Sequence, residues 1–428
     1  MTTIETAGPA PDLAEYRAQA RAWLAGHLDR RRPDDPAGAD PAHWTPERDR
    51  RERAIQRALF EGGYAGIAWP RAYGGQGLTE AHQQAFDEAA QDFRVAEFGI
   101  LGRTTWGICV PTMLAHASPA FLARHVPRVL AGEELWVQYF SEPEAGSDLA
   151  GVRTRATRDG DRWILRGSKV WSSGAYYADY GLCLARSNWD VPKHRGLTWF
   201  AVRVDQPAIT TQPLRQINGR AEFCQEFLDD VELTQDDVIG GVDQGWTVAR
   251  TMLVMERQVG ARTRLRPVTG ERRPAADLVA LARQAGREAD PHVQDLVARA
   301  HILDVVQAEL GARVAELAAA GARDPASLAC YPKLAAGTYT PMRAMMAIEI
   351  GGGGGLTWAG GEEQPRAVAD YLGARGQSIA GGTNEMMRNV IGERILGLPR
   401  EPAYDTGRPF SEVVRQAAEW GRPGAPTS

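Results

Sequence analysis

Tyr139-Phe140-Ser141-Glu142-Pro143-Glu144-Ala145-Gly146-Ser147-Asp148 lies where the chain changes character. It is dense in turn formers, hydroxyls and backbone N–H groups, the atoms that face a bound molecule. A second run of similar chemistry, Ile379-Ala380-Gly381-Gly382-Thr383-Asn384-Glu385, lies far downstream. The two runs read as halves of one site.

Upstream, to residue 134, the spacing is helical. Leu13 to Leu28 and Ala54 to Gly62 carry apolar residues at helical intervals. Between them, Arg31-Arg32-Pro33-Asp34-Asp35-Pro36 is a loop, because prolines forbid a continuous helix. Tyr73-Gly74-Gly75-Gln76-Gly77 is another loop.

Downstream the period becomes that of strands. Asp159-Gly160 separates Arg153–Thr157 from Arg162–Leu165, a hairpin signal. Tyr180–Ala185, Leu197–Val202 and Phe223–Val231 read as further strands. From residue 242 helical spacing returns, in Gly245–Ala261 and Asp290–Ala320. Gly351–Gly355 interrupts it. Asn384–Leu396 reads as the last helix, stopped by Gly397 and Pro399. Gly421–Pro426 reads as a disordered tail.

The expected class is therefore α+β: an N-terminal helical domain (1–134), a central antiparallel β domain (135–241) and a C-terminal four-helix-bundle domain (242–405), then a tail (406–428). Helix, then β, then helix argues against a doubly wound nucleotide-binding sheet, which alternates strand and helix. The glycine spacing within Gly351–Gly355 lacks the surrounding βαβ unit that a dinucleotide fingerprint requires.

The net charge of −5 argues against a dominant nucleic-acid surface. No apolar run approaches the length of a membrane span, and no secretory signal is visible. Cys109, Cys183, Cys224 and Cys330 are scattered without a CxxC pair. They read as reduced, buried thiols, with neither a zinc site nor a disulfide framework. A cytoplasmic setting is the expectation.

Four segments in order carry a resemblance to a known family. They are Phe140–Asp148; Gly167-Ser168-Lys169-Val170-Trp171-Ser172-Ser173-Gly174; Asp243-Gln244-Gly245-Trp246 leading to Met255-Glu256-Arg257; and Gly381-Gly382-Thr383-Asn384-Glu385 leading to Ile391–Gly397. Together they resemble the acyl-CoA dehydrogenase flavoproteins over roughly residues 13–400. Glu144 departs from the pattern, since relatives usually carry Gly there.

The resemblance implies bound FAD. It places Phe140, Ser141, Trp171, Ser173 and Thr383 against the flavin, with Gly146, Ser147 and Glu385 in the same two motifs. Hydroxyls suit the polar edge of a flavin, an indole suits its flat face, and Gly146 permits close backbone approach. Taken singly, Ser-Asp after Gly is a common turn and Trp171 an ordinary core residue. Gly352 and Gly353 match the family's glycine pair near the adenine, with Glu349 where Gln is common. The family's pyrophosphate Arg, in an Arg-x-x-Phe-Gly pattern, has no clear counterpart. Arg283 in Leu281–Arg287 is the nearest candidate, and a solvated helix charge fits it as well.

The reaction so implied needs a carboxylate beside the α-carbon of a thioester while hydride leaves the β-carbon. Many relatives place Glu where this chain has Gly381. A second lineage, resembling the long-chain and isovaleryl enzymes, carries it on the first long helix after the β domain. Glu256 stands there, and Gly381 leaves room for it. The Gly381 N–H is expected at the thioester oxygen. For Glu256 alone, an ion pair with a basic neighbour is the plainer reading. The resemblance further implies an acyl-CoA substrate, electron-transfer flavoprotein as acceptor, and a homo- or hetero-tetramer. Two alternatives share the fold: a flavin-dependent oxidase or monooxygenase, and a non-catalytic subunit of a mixed tetramer.

Overall fold

Asp12 opens the first helix: its carboxylate accepts from the Ala14 and Glu15 amides, satisfying donors that helix geometry leaves bare. The computed structural model describes residues 11–32, 44–264, 274–321, 325–358 and 365–419. Helix α1 (Leu13–His27) buries Tyr16, Ala20 and Leu24, four residues apart, against Ala85, Phe86 and Ala89 of α3 (Glu80–Ala90). Between them in sequence, α2 (Pro46–Glu61) begins on a Thr45 cap, eight residues before the apolar run that marks it. Helices α4 (Gly99–Thr104), α5 (Val110–His116) and α6 (Pro119–Leu130) complete this region. Pro33, Asp34, Asp35 and Pro36 of the proline loop, and the expected tail Gly421–Pro426, lie outside the described residues.

The middle region is one sheet. Its strands are β1 (Trp136–Tyr139), β2 (Arg155–Asp159), β3 (Arg162–Ser173), β4 (Tyr180–Arg186), β5 (Leu197–Arg203), β6 (Ile209–Leu214), β7 (Phe223–Thr234) and β8 (Val238–Ile239). The order is β6-β7-β3-β2-β4-β5-β8, antiparallel apart from a parallel β1–β4 pair and a single parallel β2–β4 contact. The hairpin is where its sequence placed it, but shifted by one residue. Asp159 pairs with Arg162, so the turn is Gly160-Asp161, with Gly160 at φ +63°. One face of the sheet packs on Met113, Val126, Val248 and Met252 from neighbouring helices. The other encloses Leu165, Phe200, Cys224 and Val231. All four cysteines are buried and free.

The C-terminal region consists of α7 (Gly245–Arg264), α8 (Ala276–Gln284), α9 (Pro291–Ala319), α10 (Pro325–Leu328), α11 (Cys330–Gly351), α12 (Arg366–Ala374) and α13 (Asn384–Val390). Helix α11 is its centre, packed against α9, α12, α13 and α7. One expectation fails here. Asn384–Leu396 is not the last helix, because α14 (Phe410–Glu419) follows it. The Phe410 and Ser411 amides donate to Val191 and Trp189 carbonyls of the middle region. The Phe410 ring sits 3.8 Å from the buried Arg186 guanidinium. The helix is strongly amphipathic and buries Phe410 and Val413 on one face, so its periodicity was present in the sequence and went unread.

Candidate active site

The loop after β1 is held from inside the sheet. The buried Glu142 carboxylate accepts from the Arg153 amide at 2.5 Å, the Thr154 amide at 2.9 Å and Lys169 Nζ at 2.8 Å. Burial alone would raise its pKa, but the Lys169 ammonium and these donors bring it below the usual value. Lys169 Nζ also donates to the Leu184 and Phe140 carbonyls at 2.6 and 3.3 Å. The Ser141 carbonyl accepts from the Val170 amide at 3.0 Å. Two of the four sequence motifs are thus stitched together beside Trp171.

Trp171 is the extra residue of a bulge in the β3–β7 ladder, between Val170 and Ser172. Its φ is +68° and its side chain is 58% exposed, resting edge-on against Phe223. A bulky residue at positive φ is strained, and such strain marks sites that surrounding structure enforces. Half-buried Ser173 lies two residues beyond the indole on β3, and half-buried Ser141 reaches the neighbouring Val170 through its carbonyl. Gly146 and Ser147 are exposed, and a Cβ at Gly146 meets nothing within 4 Å. An outward indole, adjacent hydroxyls and an open glycine fit the flat, polar-edged ring of a flavin. Phe140 is half-buried, and its ring packs on Trp199 at 5.3 Å.

Glu256 lies on α7 and is half-buried. A Cβ placed on Gly381 falls 3.6 Å from Glu256 Oε1 and 3.6 Å from Lys333 Cε. The structure therefore brings together the two residues expected to be paired, separated in sequence by more than a hundred residues. Burial raises the Glu256 pKa, while Arg257, the Gln138 side chain and Lys333 each oppose the rise.

Lys333 and Gln138 lie beside Glu256, and neither was singled out from the sequence. Lys333 is buried in α11, its Nζ donating to the Gln377 carbonyl at 2.9 Å. A lone charge in Cys330–Gly337, an otherwise uncharged run, was the available signal. Gln138 sits on β1, two residues before Phe140, and carried no signal of its own.

The second glycine-rich run is fastened to α11. Ser378 Oγ and Asn384 Nδ2 both donate to the Gly337 carbonyl, at 2.7 and 3.2 Å. Gly381 and Gly382 take φ of +66° and +93°, which favour glycine. Thr383 Oγ1 accepts from the Met386 amide as the N-cap of α13. Glu385 faces solvent and pairs with Arg388 at 3.7 Å.

Gly352 and Gly353 are not brought to this cluster. They follow the far end of α11, 19 residues beyond Lys333 (352 − 333), or about 28 Å of helix. Arg283 is exposed on α8 and faces neither glycine. Arg287 does: its Nη1 donates to the Glu349 and Ile350 carbonyls at 2.6 and 3.3 Å and lies 3.2 Å from a Cβ on Gly352.

An exposed indole at positive φ on the sheet and a half-buried carboxylate on the helix that follows it suit a flavin-dependent oxidoreductase. Residues 12–133, 138–231 and 243–396 match the N-terminal, middle and C-terminal domains of acyl-CoA dehydrogenases. The chain is 35% identical to acyl-CoA dehydrogenase IpdE1 of Mycobacterium tuberculosis, over 91% of its own length and 99% of that protein. It is 39% identical to acyl-CoA dehydrogenase FadE34 of the same organism over 82% of its length, but spans only 47% of that relative. Among solved structures, the Tcur3481-Tcur3483 steroid ACAD superposes with a TM-score of 0.70 at 26% identity, covering 93% of this chain and 100% of that one. The ChsE4-ChsE5 complex from M. tuberculosis gives 0.65 at 25% identity, over 92% and 99%. The chain belongs to the acyl-CoA dehydrogenase family, whose members are FAD-dependent oxidoreductases.

Proposed function

We propose that this chain carries out α,β-dehydrogenation of an acyl-CoA thioester with Glu256 as the base. The observation that carries this reading is the carboxylate of Glu256 filling the space left by Gly381. Bound FAD supplies the hydride acceptor. Glu256 takes the α-proton; its raised pKa brings its basicity nearer the working range than an exposed carboxylate's. Trp171, Ser141, Ser173 and Thr383 form the flavin-facing surface, with Gly146 and Ser147 beside them. The Gly381 N–H is the donor for the thioester oxygen, where negative charge develops. Lys333 adds a positive charge behind that position.

Glu256→Gln keeps side-chain size and removes the base. Anaerobic flavin reduction by a good substrate should slow by ~10²–10⁴-fold, with flavin still bound. Reduction at the wild-type rate would refute the assignment.

Assembly belongs to the same reading. Gly352 and Gly353 lie about 28 Å along α11 from Lys333, which suits a glycine pair serving the adenine end of a neighbouring subunit's flavin. Ile302, Val306 and Met342 present exposed apolar side chains on α9 and α11, a face suited to association. Two solved neighbours are named as pairs of different chains, and one of those as a steroid enzyme. We therefore favour a mixed tetramer, and a polycyclic acyl-CoA as the first substrate to screen. Electron-transfer flavoprotein is the proposed acceptor, in a cytoplasmic setting; among the described residues no helix is long and apolar enough to cross a membrane. Stoichiometric oxygen consumption in turnover would identify an oxidase instead.

A further inference from the structure

One buried acid has no part in the chemistry above. Glu226 lies on β7, wholly inaccessible, opposite Lys169 in the β3–β7 register. Ser172 Oγ donates to its Oε2 at 2.9 Å, while its Oε1 has no hydrogen-bond partner among the described residues. Ser172 is itself buried and immediately follows the bulged Trp171.

We propose that Glu226 is a positioning residue which, through Ser172, locks the bulge that presents Trp171 to the flavin, and that the lock opens when the carboxyl ionises. The proposal rests, for its consequence, on Trp171 facing the flavin. A tryptophan at φ +68° does not hold that conformation unaided. The ladder on either side of the bulge fixes Val170 opposite Gln225 and Ser172 opposite Cys224. The Ser172–Glu226 bond is the side-chain tie across this irregularity, and it draws Ser172 inward while Trp171 turns outward.

The surroundings make this tie sensitive to charge. The groups facing Glu226 are Tyr139 from β1, Lys169 from β3, Cys183 from β4 and Cys224 on β7 itself. Only Lys169 is cationic, and its ammonium is engaged by Glu142 and two carbonyls. Burial pushes the Glu226 carboxyl up to about 8, with Ser172 and Lys169 opposing. Near neutral pH it sits in the sheet uncharged. Ionised, it brings a buried charge that Ser172 and Lys169 offset only in part, and the remaining cost is relieved by opening the strand pair to water at its weakest point, the bulge.

The test uses the full chain labelled with 5-fluorotryptophan, its Trp171 resonance assigned by its loss in Trp171→Phe. In the wild-type apoprotein this resonance should move between pH 7 and pH 9. In Glu226→Gln, which mimics the neutral acid, it should stay at its pH 7 position throughout. In Ser172→Ala it should already be displaced at pH 7. FAD affinity should follow, weakening by about tenfold or more over that interval in wild type and staying level in Glu226→Gln. A Glu226→Gln resonance that titrates like wild type overturns the proposal. If that variant does not fold, a wild-type resonance insensitive to pH, or one unmoved by Ser172→Ala, overturns it equally. A resonance that behaves as expected while FAD affinity does not respond upholds the lock and instead refutes the placement of Trp171 on the flavin.

Discussion

Glu256 Oε1 lies 3.6 Å from the point at which a side chain on Gly381 would begin. The carboxylate on α7 and the missing one on the loop before α13 are two routes to one place. Restoring a carboxylate at 381 in a Glu256→Gln background should recover part of the lost flavin reduction. Recovery should be incomplete, because Gly381 has φ +66° and a side chain there is strained by roughly 1–2 kcal/mol. Single-turnover reduction of Glu256→Gln/Gly381→Glu beside the single variant measures it. No gain in the double variant would count against a shared position.

Lys333 opposes the burial-driven rise in the Glu256 pKa. Lys333→Met removes that opposition, so the pKa should rise further. In the proposed role, Glu256 abstracts a proton only when ionised. The acidic limb of the pH–rate profile for flavin reduction should therefore move to higher pH. Lys333→Arg should move it less. An acidic limb unchanged in Lys333→Met would show that the ammonium serves only to hold the Gln377 carbonyl.

Gly337→Ala should loosen the loop that carries Gly381. A Cβ at 337 collides with Asn384 Oδ1 and lies 3.0 Å from the Gln377 carbonyl. Overpacking of this kind costs typically ~1–3 kcal/mol. Thermal unfolding should fall by several degrees, and FAD should dissociate faster. Unchanged melting and flavin retention would mean that the loop shifts without cost.

Two buried carboxyls should give opposite pH dependences of stability. Glu142 is held below its usual pKa by Lys169 and its amide donors. Its contribution is present above the unfolded value of about 4.5 and is lost as pH falls through the lower folded value. Glu226 is raised to about 8. The folded state there holds a proton that the unfolded chain has released, so stability falls as pH rises from about 4.5 to about 8. Denaturant titrations at pH 6 and pH 8.5 should show a smaller loss in Glu226→Gln than in wild type. Equal losses would place the sensitivity elsewhere. Glu142→Ala should cost about 3–5 kcal/mol, because Lys169 is left buried and uncompensated.

Much of this protein was legible in its sequence. Alternating and helical spacings separate the sheet from the helices on either side, because periods of two and 3.6 are imposed locally by the backbone. The Phe140–Asp148 and Gly381–Glu385 runs, with Glu256, are the sequence features on which the proposed site rests. The structure brings Gly381 onto Glu256 and Ser141 onto Val170. What remained hidden depends on contacts between distant segments. Helix α14 is amphipathic in the sequence, but that its Phe410 docks on Arg186, more than two hundred residues away, is a tertiary matter. Arg287, rather than Arg283, reaches the glycine pair because the turn after α8 directs it there. Gln138, Lys333 and Glu226 carry no motif. Their roles come from burial and from the charges that folding places beside them, which local sequence does not encode.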